Sequence, residues 1–127
     1  IGALKSGDYQ LVLEDLAMTV EASKPYPLKV ILETSKLSDE EKVAGCVLSK
    51  EARAAFVKTS TGFGPSSATP EIIDAMVQAV GGKMGIKASG GIRDWAAAVG
   101  YLDQGVDRLG VGSTAAVLDG GAAEGDY

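Results

Sequence analysis

In AAFVKTSTGF (residues 54–63) the apolar run Ala54-Ala55-Phe56-Val57 leads straight into a lysine and then a polar turn with a glycine. A short apolar run bounded by turn residues reads as a buried strand. It ends, however, on Lys58, and lysine is among the residues least often buried without a partner. The pattern returns in MGIKASGG (84–91), whose apolar run ends on Lys87 and turns at Gly90-Gly91. Strands that end in lysine followed by small polar residues decide how the rest of the chain is read.

Outward from that stretch, strand and helix signals alternate. Ser6 or Asp8 can cap a helix running to about Ser23, with Tyr9, Val12, Leu13, Leu16 and Val20 on one face. Pro25 and Pro27 end it, and LKVILE (28–33) is a strand rich in branched apolar residues. SDEE (38–41) is a capping box opening a helix to about Arg53. Thr69-Pro70-Glu71 opens another, with proline at the first helical position, and Gly81-Gly82 closes it. Asp94 starts a helix through roughly Asp103, ended by Gly105. RLGV (108–111) is the last strand and STAAVL (113–118) a short final helix.

Such alternation predicts a parallel sheet covered by helices. The spacing of the strands suits the allotment of one βα unit in a (β/α)8 barrel. Only the strands at 28–33, 55–58, 84–87 and 108–111 are present, too few to close a barrel. The pattern therefore fits either a small open α/β sheet or half of a barrel.

Composition narrows the chemistry. The 127 residues suffice for one modest domain, and 46% apolar content suffices for a core. A net charge of −5 gives no basic surface for nucleic acid or an anionic membrane. No apolar run approaches the roughly 20 residues of a bilayer span. The lone Cys46 can form no internal disulfide and leans towards a reducing, cytoplasmic setting. It lies mid-helix and is expected to pack, as Trp95 is expected to pack its helix on the sheet. Histidine is absent, which excludes histidine bases and histidine metal sites.

If the strands ending in Lys58 and Lys87 are neighbours, they lie about 4.8 Å apart and open on the same face of the sheet. That face is where α/β proteins bind ligands. Repulsion between the ammonium groups and burial both favour the neutral amine. A neutral lysine attacks carbonyls and forms Schiff bases. The plain alternative is a pair of surface lysines whose stems lie along apolar surface. SGGIR (89–93) and GVGST (110–114) offer glycine amides ahead of helices, where anions bind, and Gly62 can add another. Alternatively these glycines serve only tight turns. Glu33 ends its strand at the same face and can serve as a buried partner for a lysine or only a structural role.

KVILETSKLSDEEKV (29–43), FVKTSTGF (56–63) and GIKASGGIR (85–93) closely resemble the deoxyribose-phosphate aldolase family. The resemblance runs from Ile1 to about Gly120. It implies a (β/α)8 TIM barrel of which this chain holds roughly the last four βα units, over 1–120, followed by a flexible tail at 121–127. It implies a class I aldolase that reversibly cleaves 2-deoxy-D-ribose 5-phosphate to glyceraldehyde 3-phosphate and acetaldehyde, with no metal or organic cofactor. By resemblance, Lys58 is the Schiff-base lysine and Lys87 the lysine that perturbs it and relays protons. Thr61 places a hydroxyl near the reacting centre. Gly62, Gly90, Gly91, Gly112 and Ser113 bind the substrate phosphate, with Arg93 beside it. Tyr127 matches a terminal tyrosine implicated in proton transfer, so on the resemblance the C-terminus is complete.

The departures from the family also matter. An essential aspartate precedes the family's counterpart of IGALKSGDY and is missing here, as are roughly the first four strands. GFGPSSATPE (62–71) differs from the commoner glycine-rich loop, and GVGST has one serine where many relatives have two. The expectation is therefore a chain with little activity alone, whose open strand edges pair with the missing half or with a second copy. Other readings are a piece of another phosphate-binding class I aldolase, or an inactive half-barrel that binds a partner chain.

Overall fold

Local signals fix the helix starts. In a computed structural model describing residues 1–65 and 68–121, Ser38 accepts from Glu41 N and the Glu41 carboxylate accepts from Ser38 N at 2.8 Å. Asp8, Thr69 and Asp94 cap their helices through the side chain in the same way. The elements are α1 (Gly2–Lys5), α2 (Tyr9–Ser23), β1 (Lys29–Ile31), a 3-10 turn (Thr34–Lys36), α3 (Asp39–Glu51), β2 (Phe56–Lys58), α4 (Pro70–Val80), β3 (Gly85–Ser89), α5 (Trp95–Asp103), β4 (Arg108–Gly110) and α6 (Thr114–Leu118). The strands are shorter than the sequence suggests at β1, β2 and β4, and β3 runs on to Ser89. The turn at α1 and the 3-10 turn are additions to the expected pattern.

All strands are parallel, in the spatial order β1-β2-β3-β4. That sequential order decides between the expected architectures. A doubly wound open sheet reverses its strand order at a switch point. An uninterrupted sequence of right-handed crossovers instead places every connecting helix on one face, as along the arc of a barrel.

The helical face holds the core. Val57, Ala88 and Ile86 point from the strands to Ile73, Met76 and Val80 of α4, all at most 3% exposed. Each large aliphatic side chain buried in this way contributes about 1.5–3 kcal/mol. Cys46 is fully buried on α3, as expected, and its thiol is pushed up to about 12 by desolvation.

The N-terminal side is less covered. No residue of α2 is buried: Val12, Leu13, Leu16 and Val20 are half-buried, while Tyr9 is exposed and outside the face expected for it. Between α1, α2 and the free edge of β1 lies an apolar groove of about 400 Å³. No helix among the described residues is long and apolar enough to cross a membrane.

Candidate active site

Alternation along the strands sends every second side chain to the face that the helices leave open. Register then assembles the site. Lys58 of β2 pairs with Lys87 of β3, Lys87 pairs with Arg108 of β4, and Ile31 of β1 pairs with Lys58. Ile31, Lys58, Lys87 and Arg108 thus form one row across the open face. The row nearer the strand starts is Lys29, Phe56 and Gly85.

The rows are tied together through the aromatic ring. Lys29 Nζ lies 5.5 Å and the Arg108 guanidinium 4.4 Å from the Phe56 ring centre, both within cation–π range. The same ring explains Gly85, since any Cβ there would overlap it. A chain of net charge −5 thus concentrates Lys29, Lys58, Lys87 and Arg108 on one face of its sheet.

The electrostatic consequence falls on Lys58. Partial burial, then the charges of Lys87 and Lys29, hold its ammonium below the usual lysine range, while Glu33 opposes them. Lys29 is lowered too, by burial and by Lys87 and Arg108. Lys58 is half-buried, which leaves its amine reachable.

Beyond the lysines, hydroxyl groups lock the strand ends. Thr59 Oγ1 donates to the Ser89 carbonyl at 2.7 Å and accepts from Ser89 N at 2.9 Å. Ser60 Oγ donates to the same carbonyl at 2.8 Å. All three residues are buried, at most 1% exposed. These bonds continue the pairing beyond the three-residue strand β2 and fix the Lys58–Lys87 register. Nothing in the sequence pattern distinguishes them from ordinary turn residues.

Glu33 is buried and adopts a left-handed backbone, φ 57° and ψ 60°. Its Oε2 accepts from Thr61 Oγ1 at 2.7 Å and from Thr61 N at 3.2 Å. The sequence suggested a lysine partner or a structural role for Glu33; its hydrogen bonds go to Thr61. Thr61, expected near the reacting centre, stands three residues beyond Lys58 with its hydroxyl given to that carboxylate.

The expected anion-binding residues all follow C-terminal strand ends. Gly62 lies in the turn after β2, and Gly90, Gly91 and Arg93 lie between β3 and α5. Gly90 and Gly91 have φ of 99° and 85°, a conformation that glycine adopts without penalty. Gly112 and Ser113 follow β4, with Ser113 at the start of α6. That helix has only five residues, so a full helix dipole is not available there. Trp95, expected to pack on the sheet, is half exposed and lines a cleft of about 520 Å³ with Lys87 and Leu109. Tyr127 and the rest of the expected tail from residue 122 lie outside the described residues.

No family model matches the chain. Against curated proteins, it is 49% identical over all 127 residues to the deoxyribose-phosphate aldolase of Streptococcus suis (strain 05ZYH33), of which it covers 58%. Among solved structures, a candidate deoxyribose-phosphate aldolase from Coccidioides immitis matches with a TM-score of 0.88 and 38% identity, over 93% of this chain and 48% of that one. The tetrameric deoxyribose phosphate aldolase of Aeropyrum pernix matches with a TM-score of 0.79 and 32% identity, over 87% of this chain and 49% of that one. The chain is thus similar over its whole length to a deoxyribose-phosphate aldolase and spans 58%, 48% and 49% of the length of these relatives. Its sheet and helices have the fold of about half of the aldolase TIM barrel.

Proposed function

We propose that this chain is the Schiff-base half of a class I aldolase acting on 2-deoxy-D-ribose 5-phosphate. The observation behind this reading is the in-register pairing of Lys58 with Lys87, whose charge adds to the partial burial of Lys58 in lowering the proton affinity of a reachable amine. The similarity over the whole chain to proteins named deoxyribose-phosphate aldolase supports this choice of substrate.

In this reading neutral Lys58 adds to the C1 aldehyde of the open-chain sugar. Loss of water, with net uptake of one proton, leaves a cationic imine. The C3 hydroxyl gives up its proton and the C2–C3 bond breaks, its electron pair passing to the imine. Glyceraldehyde 3-phosphate leaves and an enamine remains. Protonation at C2 and hydrolysis release acetaldehyde and restore the amine. Lys87 adds to the burial of Lys58 in favouring its neutral form and relays protons, and Tyr127 serves the C2 protonation. The amides of Gly62, Gly90, Gly91, Gly112 and Ser113, with Arg93, hold the phosphate, which positions C1 at the amine. The buried, unpaired Cys46 accords with a cytoplasmic setting.

The proposal includes a partner. The open edges of β1 and β4 and the apolar groove beside β1 call for covering chain. We expect the missing half of the barrel or a second copy to fill them, and little turnover by the 127 residues alone. Sedimentation should show association; a well-folded monomer would contradict it.

Borohydride reduction in the presence of deoxyribose 5-phosphate tests the chemistry. A reduced adduct on the Lys58 peptide, absent in Lys58→Arg and weaker with other sugar phosphates, is expected. An equal yield with other sugar phosphates would point to a different class I aldolase. Phosphate binding without any adduct would favour a binding half-barrel.

A further inference from the structure

Glu33 combines several unfavourable features. A non-glycine residue in the left-handed region is uncommon and strained. A carboxylate is seldom buried unless paired, and Glu33 is only 8% exposed. Its pairing is incomplete: Oε2 is held by Thr61, but Oε1 is buried and accepts no hydrogen bond among the described residues. A buried polar atom left unpaired in a native fold calls for a reason.

Its position suggests one. The Leu32 N–H donates to the Lys58 carbonyl at 2.9 Å, so Glu33 leaves β1 just beyond the level of Lys58. Thr34 N donates to the Thr59 carbonyl at 2.9 Å, which brackets Glu33 between contacts to the carbonyls of Lys58 and Thr59. The left-handed turn and the Thr61 clamp hold the carboxylate against the segment that follows the lysine.

We propose that Glu33 is the counter-charge of Lys58, a positioning residue whose anchored carboxylate stabilises the positive charge that imine formation fixes on Lys58 Nζ. This rests on the aldolase reading and adds a residue to it. The charged groups acting on the Lys58 amine are Lys87 from β3, Lys29 from β1 and Glu33 itself, with Arg108 of β4 in register with Lys87. The cations favour the neutral amine that attacks. Glu33 works against them in the free enzyme, and the same attraction favours the imine. Once the C–N bond has formed and water has left, the cationic imine keeps one N–H, and loss of that proton would end its action as an electron sink. A fixed negative charge then lowers the energy of the intermediate relative to the amine.

The test uses the whole chain, with and without a simple aldehyde. The Cε resonance of Lys58, assigned with Lys58→Arg, is followed by NMR through a pH titration. Glu33→Gln removes the charge and keeps an acceptor for Thr61. Glu33→Asn also removes it and suits the left-handed backbone, in case the glutamine variant folds poorly. Both should move the Lys58 titration down by roughly half a unit to one unit. Both should also lower the fraction trapped as imine by borohydride with acetaldehyde, and shift its pH range downwards. An unmoved titration, with normal trapping in the unsubstituted chain, overturns the inference and leaves the aldolase reading intact. No trapping at Lys58 in the unsubstituted chain overturns both.

Discussion

Val57 and Lys58 are neighbours in a three-residue strand and face opposite ways. Val57 is fully buried against the helices, and Lys58 sits half-buried among cations on the open face. The same contrast runs through Ile86 beside Lys87. One face of the sheet is apolar and closed by helices, while the other gathers like charges, which no folding argument favours. On the proposed reading, stability and chemistry thus fall to alternate residues of the same strands. Each can be altered with limited effect on the other, because the pleat keeps them apart.

The widest gap should come from Lys58→Met. Aldehyde trapping should vanish while the urea midpoint moves little, since removing one of several neighbouring cations relieves repulsion. A large loss of stability would show that the open face also holds the fold together. Val57→Ala should do the reverse. It should cost about 2–3 kcal/mol in urea unfolding, through lost burial and the cavity left behind. In native conditions trapping at Lys58 should persist.

Lys87→Met sharpens the electrostatic side. Without that charge the Lys58 amine should hold its proton more tightly, so trapping should fall at neutral pH and recover at higher pH. Stability should respond to pH with a definite sign. A lysine held below its ordinary value, 10.5, binds fewer protons folded than unfolded. Stability should therefore rise as pH increases through the folded value towards 10.5. The rise should shrink in Lys87→Met, as read from urea midpoints across that range. The smallest effect should come from the helical side. Ser38→Ala breaks the capping box of α3 and should cost about 1 kcal/mol without touching trapping.

The closed face was largely legible in the sequence. Capping residues, Pro70 and apolar runs are local signals, and they set the helices and the alternation without tertiary information. The two lysines were legible for the same reason, although Lys58 ends β2 while Lys87 stands two residues inside the end of β3. What escaped depends on contacts distant in sequence. Glu33 stood out at its strand end as a possible buried polar residue, but its left-handed turn and its bonds to Thr61 did not show. Thr59 and Ser60 matter only because Ser89 lies across from them. Lys29 and Arg108 acquire meaning through the Phe56 ring between them, although their period-two placement with the strand residues was a usable hint. Gly85 looked like a weak strand residue until the ring explained it.

On the proposed reading, partial burial of Lys58 and the charges of Lys87 and Lys29 that strand register sets around it make that amine a nucleophile. An NMR titration of the Lys58 Cε resonance in the unsubstituted chain measures this directly. The expected midpoint lies clearly below that of an ordinary lysine and moves back up in Lys87→Met. A Lys58 that titrates at the ordinary lysine value, unchanged by that substitution, would contradict it.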